Sequence, residues 1–209
     1  MVFSRRDVLA MAASVLAAGA LAAAGPWPAL AQAEDPAVAR IKSFYDALQA
    51  VTAGPQANDP KARFAAIHEP VANAFDLTAM ARLAIGPQWS KIPAAKQASV
   101  QEAFGRYFVA TYANRLGGIS GARFEVMPNT EPRTGGRLVR TKVIDAGGRE
   151  TPVDYLVGPE GKVVDLYLSG TVSELAALRA QFDPVLKSGG PDRLEAYLRE
   201  RADKALGGA

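Results

Sequence analysis

Val153 to Phe182 reads VDYLVGPEGKVVDLYLSGTVSELAALRAQF, and it holds two strand-like runs, a turn and the start of a helix. Val153, Tyr155 and Val157 alternate with Asp154 and Leu156, and Val164, Leu166 and Leu168 alternate with Val163, Asp165 and Tyr167. A period of two is that of a strand with one face on a core. Gly158 to Gly161 is the turn between them. Thr171 and Glu174 then stand as a capping box ahead of Leu175, Leu178 and Phe182, so a sheet hands over here to a covering helix.

Working back from this stretch, the same alternation occurs twice more. Phe124 and Val126 alternate with Arg123 and Glu125, and Val139, Thr141 and Val143 alternate with Arg140 and Lys142. The joins Pro128 to Gly136 and Asp145 to Gly148 are rich in turn formers. The expectation is a four-stranded antiparallel meander with one greasy face and one partly polar face.

Helical spacing governs the residues before the sheet. Asp35-Pro36 starts a helix with Val38, Ile41, Phe44, Tyr45 and Leu48 on one face, ending near Gly54-Pro55. Asp59-Pro60 repeats the signal for Phe64, Ile67 and Val71, and Asp76 opens a third segment, Leu77 to Ile85. A short link, Gln88 to Ile92, carries Trp89; Pro93 then begins the longest helix, which runs to about Leu116. After the sheet, Pro184 bends or ends the capped helix and Pro191 starts a last one with Leu194, Tyr197, Leu198 and Leu206. The predicted architecture is α+β: the meander covered by about six helices, in one domain, 34–209.

Residues 1–33 read as an export signal. Ser4-Arg5-Arg6-Asp7 is a charged start, Val8 to Ala24 is apolar, and Ala29, Ala31 and Ala33 supply small-residue cleavage sites, with cleavage expected near Ala33. Ser-Arg-Arg-x-x-Leu also fits the twin-arginine pattern, so both export routes are compatible. The 209-residue chain contains no cysteine, which removes disulfides and thiol catalysis. A formal charge of +3, dispersed along the chain, does not argue for nucleic acid.

Catalytic signals are weak. His68, the single histidine, neighbours Glu69, but adjacent helix positions point about 100° apart, so it reads as a structural or surface histidine. Asp154 and Asp165 read as outer-face carboxylates opposite Arg140 and Lys142, and the serines lack a nucleophile-elbow context. No catalytic, metal or cofactor site is expected. The aromatic stripe Phe104, Tyr107, Phe108 and Tyr112, interrupted by Ala103, Gly105, Ala110 and Ala113, leaves two readings open: a filled core, or an apolar cavity between sheet and helices.

Tyr107-x-x-x-x-Tyr112-x-x-x-Leu116, Val153-x-Tyr155, Gly161-Lys162-Val163-x-Asp165-x-x-x-x-Gly170-x-x-Ser173 and Arg179-x-Gln181-Phe182, in this order, resemble the MlaC/toluene-tolerance family of periplasmic lipid carriers. The run Asp165 to Ala176 is most similar to the hopanoid-associated HpnM branch. Gly161, where many members have tryptophan, and the longer Gly170-Thr171-Val172-Ser173 depart from the family pattern and favour a divergent branch. The resemblance implies a periplasmic protein that holds lipid tails between sheet and helices. Its cargo would be phospholipid or hopanoid, exchanged with an inner-membrane lipid transporter and an outer-membrane complex. The implied lining adds to the stripe Val139, Thr141, Val143, Val153, Tyr155 and Leu166. The alternative is a small ketosteroid-isomerase-like enzyme acting on an apolar substrate, which needs a carboxylate or His68 inside the cavity.

Overall fold

Three of the helices begin on an aspartate, because a carboxylate satisfies the amides that a first turn leaves unpaired. Asp35 Oδ1 accepts from the Ala37 amide at 2.9 Å, Asp59 Oδ1 from Lys61 at 2.9 Å, and Asp76 Oδ1 from Ala79 at 2.8 Å. The computed structural model describes residues 33–208. The helices are α1 (Pro36–Ala53), α2 (Pro60–Ala74), α3 (Leu77–Ile85), α4 (Ala94–Leu116) and α5 (Glu174–Ala205), with 3-10 turns at Pro55–Asn58 and Gly86–Lys91. Among the described residues, no helix is long and apolar enough to cross a membrane. The export signal assigned to residues 1–33 lies almost wholly outside them.

Five strands, not four, form the antiparallel sheet in simple sequential order: β1 (Arg123–Arg133), β2 (Gly136–Ile144), β3 (Glu150–Val157), β4 (Val163–Leu168) and β5 (Val172–Ser173). The fifth strand follows the turn at Ser169 to Thr171. Gly170 takes a φ of +76°, which lets the chain reverse so that Leu168 pairs with Val172 and Tyr167 with Ser173. The helix start therefore falls two residues later than the expected box at Thr171. Ser173 is the cap, its Oγ accepting from the Ala176 amide at 3.0 Å.

Two further expectations change. Pro184 does not end its helix, and the two C-terminal helices join through a kink at Gly189 and Gly190, where the backbone leaves helical geometry. Counted as one element across that kink, the described residues hold five α-helices where about six were expected. In β4 the strict alternation fails: Leu156 pairs with Asp165 but Val157 with Val163, so an irregularity sits at Val164. Val163, not Val164, turns into the core, and it is fully buried.

α1 lies against β1 and β2, α4 packs on α2 and α5, and α3 packs on α5. Asp35 links helix and sheet by also accepting from Thr130 Oγ1 at 2.8 Å and pairing with Arg137 at 2.7 Å. The Ala37 amide, Thr130 and Arg137 together hold its carboxyl below the usual range. The chain between α2 and α3 is pinned to the sheet as well: Phe75 bridges Val163, and the Asp76 amide donates to the Val163 carbonyl at 2.9 Å.

Arg63 is charged, yet 5% exposed. Its Nε donates to the Ala113 carbonyl at 2.6 Å and its Nη1 to the Ala57 carbonyl at 2.5 Å. Ala113 lies in the last turn of α4, where carbonyls lack helical partners and the helix end is negative, so a guanidinium is stabilised there. Arg63→Ala leaves a buried carbonyl unsatisfied and opens a void; a loss of about 3 kcal/mol is expected in urea unfolding. Arg63→Lys, which lacks the planar fork, should recover only part of it.

Candidate functional site

Where the helices meet the sheet, seven aromatic rings pack together. Phe75 is at their centre, with ring centroids 5.0 Å from Phe44, 5.4 Å from Phe108, 5.8 Å from Tyr112 and 6.1 Å from Tyr155. Tyr45 stands 5.8 Å from Tyr155 and 4.8 Å from Phe124. Mostly edge-to-face contacts of this kind add to the burial energy of each ring.

The predicted lining divides into three groups. Phe108, Tyr112, Val139, Thr141, Tyr155 and Leu166 are buried together, with Tyr155 paired to Val139 on one side and Leu166 on the other. Phe104, also fully buried, stacks on Phe108 at 6.1 Å and meets Phe182 of α5 at 6.4 Å, whereas Tyr107 lies 6.1 Å from Phe182 and opens onto a surface cleft with Tyr197 and Arg201. Val143 and Val153 are partly exposed at the far end of the sheet, Val143 opposite Phe124. The expected apolar cavity is not shown: the rings occupy the space between helices and sheet.

Phe44, Tyr45 and Phe75 belong to the cluster although they were absent from the expected lining. Phe44 and Tyr45 were visible on the apolar face of the first helix. Phe75 had no periodic signal, being the residue that leaves α2 in extended conformation.

Hydroxyl groups run through this apolar centre. Thr141 Oγ1 donates to the Val153 carbonyl. Tyr45 therefore donates to Thr141 Oγ1, the two oxygens being 2.5 Å apart. Tyr112 and Tyr155 hydroxyls are 3.4 Å apart. At the same level the β2–β3 ladder lacks residue pairing between Val139–Tyr155 and Lys142–Pro152. Side chains take its place, with the Thr141 amide donating to Asp154 Oδ1 at 3.2 Å.

Burial disfavours the phenolate, so Tyr112 is pushed up to about 12, and Tyr45 and Tyr155 are raised further above their ordinary value. A raised folded-state value stabilises the fold fully below the unfolded value near 10, and the contribution is lost as pH rises through the folded one. Of the six tyrosines, Tyr45, Tyr112 and Tyr155 are expected to ionise only with cooperative unfolding, read as a late, steep rise in absorbance at about 295 nm.

Carboxylates stay out of the cluster. Asp154 is buried on the opposite sheet face, 2.6 Å from Arg140, which also reaches Glu131 at 2.9 Å. Asp165 does not oppose a cation: it accepts from Ser173 Oγ at 2.6 Å and from the Leu175 amide at 3.3 Å, fixing the start of α5. His68 lines a groove of about 560 Å³ between α2, α3 and α4, while Glu69 lines a different cleft, so the two do not act as a pair. Among the described residues, no group of three or more His, Cys, Asp or Glu is placed to hold a metal.

A helix layer packed over one face of an antiparallel sheet, with an aromatic centre free of carboxylates, defines an α+β domain whose interior suits contact with hydrocarbon. The family described as MlaC protein matches residues 42–200, most of the sequence, and the chain belongs to that family. Among solved structures it is similar to the phospholipid-binding protein from Ralstonia solanacearum, determined in complex with a phospholipid at 1.53 Å. Identity is 24% with a TM-score of 0.69, over 81% of this chain and 98% of that one, which establishes a shared fold. No curated protein matches the chain.

Proposed function

We propose that the protein is a periplasmic phospholipid-binding carrier that exchanges its cargo with an inner-membrane lipid transporter and an outer-membrane complex. The observation that carries this reading is the uncharged aromatic and aliphatic interface between α1, α4 and the sheet, in a chain of the MlaC family. The phospholipid held by the Ralstonia protein supports it. Acyl chains that leave water for such an interior gain about 25 cal/mol per Å² buried, so affinity needs no charged group inside.

Entry is assigned to the Val143 and Val153 end of the sheet, where burial is incomplete and the β2–β3 ladder is interrupted. Binding then requires Tyr45 and Phe44 on α1 to move away from Tyr155, because their rings fill the path. Residues 1–33 act as the export signal in this reading, and 34–209 as the lipid-binding domain. The isomerase-like alternative loses support, since Asp154 and His68 both lie outside the aromatic cluster.

Organic extraction of the purified protein followed by mass spectrometry tests the proposal directly. A co-purifying phospholipid is expected; a hopanoid would instead point to the divergent branch. No extractable lipid, together with no uptake from liposomes, would overturn the reading.

A further inference from the structure

Trp89 has no part in the aromatic cluster, and it sits on a different face of the molecule. The Gly86–Lys91 turn carries it between α3 and the kink of α5, partly buried, with the Arg82 guanidinium 5.9 Å from its ring. Beside it, Leu83 is 45% exposed, unusual for a large aliphatic residue in this chain. Arg179 of α5 donates to the Leu83 carbonyl at 3.1 Å, which places both helices on the same patch. A small cleft lined by Lys91, Leu186 and Lys187 extends it toward the kink. Of the four cations, Arg82, Lys91, Arg179 and Lys187, only Lys187 has a carboxylate partner among the described residues, Asp183 at 2.5 Å.

We infer that this face, built from the end of α3, the Trp89 turn and the middle of α5, docks on the surface of an anionic lipid bilayer. Tryptophan and leucine flanked by basic side chains suit the interfacial zone: the apolar groups enter among the head groups while the cations meet lipid phosphates. Charge complementarity selects the membrane as occupant, since Arg82, Lys91 and Arg179 are exposed around Leu83 and have no carboxylate partner among the described residues. The face is distinct from the aromatic cluster and does not depend on what that cluster holds.

Residues Glu34–Ala209, which form one compact unit, are the material for the test. Sedimentation with vesicles of phosphatidylcholine containing phosphatidylglycerol is expected to pull the protein down, and high salt to release it. Pure phosphatidylcholine should retain little. Trp89, the only tryptophan of this unit, should shift its emission to the blue on binding. Arg82→Glu and Lys91→Glu should each lower partitioning on the order of tenfold. Leu83→Asp should also weaken it, with an unchanged circular dichroism spectrum. Arg123→Glu, at the start of β1, should leave it unaltered. Equal weak retention on both vesicle types, or an Arg123→Glu effect as large as that of Lys91→Glu, would overturn the proposal. Protein that sediments but yields no extractable lipid keeps the docking face and loses the cargo reading; lipid-loaded protein that does not sediment does the reverse.

Discussion

Val143→Asp is expected to lower phospholipid loading about a hundredfold while the protein stays folded. Val143 lies opposite Phe124 on the sheet face toward the helices, partly exposed and outside the main buried core. A carboxylate there keeps water in the apo protein, so stability changes little. Placed against acyl chains, it must be desolvated or protonated, at a cost of about 3 kcal/mol, or two powers of ten in affinity. The measurement is lipid per protein by mass spectrometry after extraction, with circular dichroism as the folding control. Normal loading in a folded variant would remove Val143 from the entry path. Tyr155→Asp follows the same logic but gives a poorer test: Tyr155 is 2% exposed against the rings of Phe44, Tyr45 and Phe75, so that variant is expected to unfold.

Phe75→Ala should lower the unfolding free energy by about 4 kcal/mol. Its ring is 1% exposed and touches the aromatic side chains of α1, α4 and β3 together, so no single neighbour can move in to fill the space. Lost burial, lost edge-to-face contacts and the remaining void all act in one direction. For a domain of this size the melting temperature should fall by roughly 10 °C. Phe75→Leu, which keeps most of the volume, should recover over half of the loss. A fall below about 1 kcal/mol for the alanine variant would show that the cluster repacks freely.

The elements were legible where their signals are local. Asp35-Pro36, Asp59-Pro60 and Asp76 mark three helix starts because a capping carboxylate acts within three residues of itself. Alternation over Val139 to Val143 and Val153 to Val157 marks strands because side chains change face at every residue. The burial of Val139, Tyr155 and Leu166 on the sheet follows the same alternation. The misses depend on strand register and packing, which residue types alone do not signal. β5 exists through its pairing with β4, the irregularity at Val164 arises from the register against β3, and the start of α5 shifts to Ser173 as a consequence. Tyr107 shared a helical stripe with Phe104, Phe108 and Tyr112, but a helix packed between two layers divides such a stripe, so Tyr107 turns to Phe182 while Phe104 touches both Phe108 and Phe182.

Composition and periodicity alone determined an α+β chain with a greasy sheet face, aspartate-started helices and no thiol chemistry, since each follows from residue type and short-range spacing. Tertiary structure alone decided that Arg63 would close the end of α4, that Tyr45 would donate to Thr141, and that Phe75 would sit at the centre of the rings. Those contacts join residues about thirty to a hundred positions apart. Their energies come from burial and from pairing polar groups away from water, quantities that do not exist until the layers have closed.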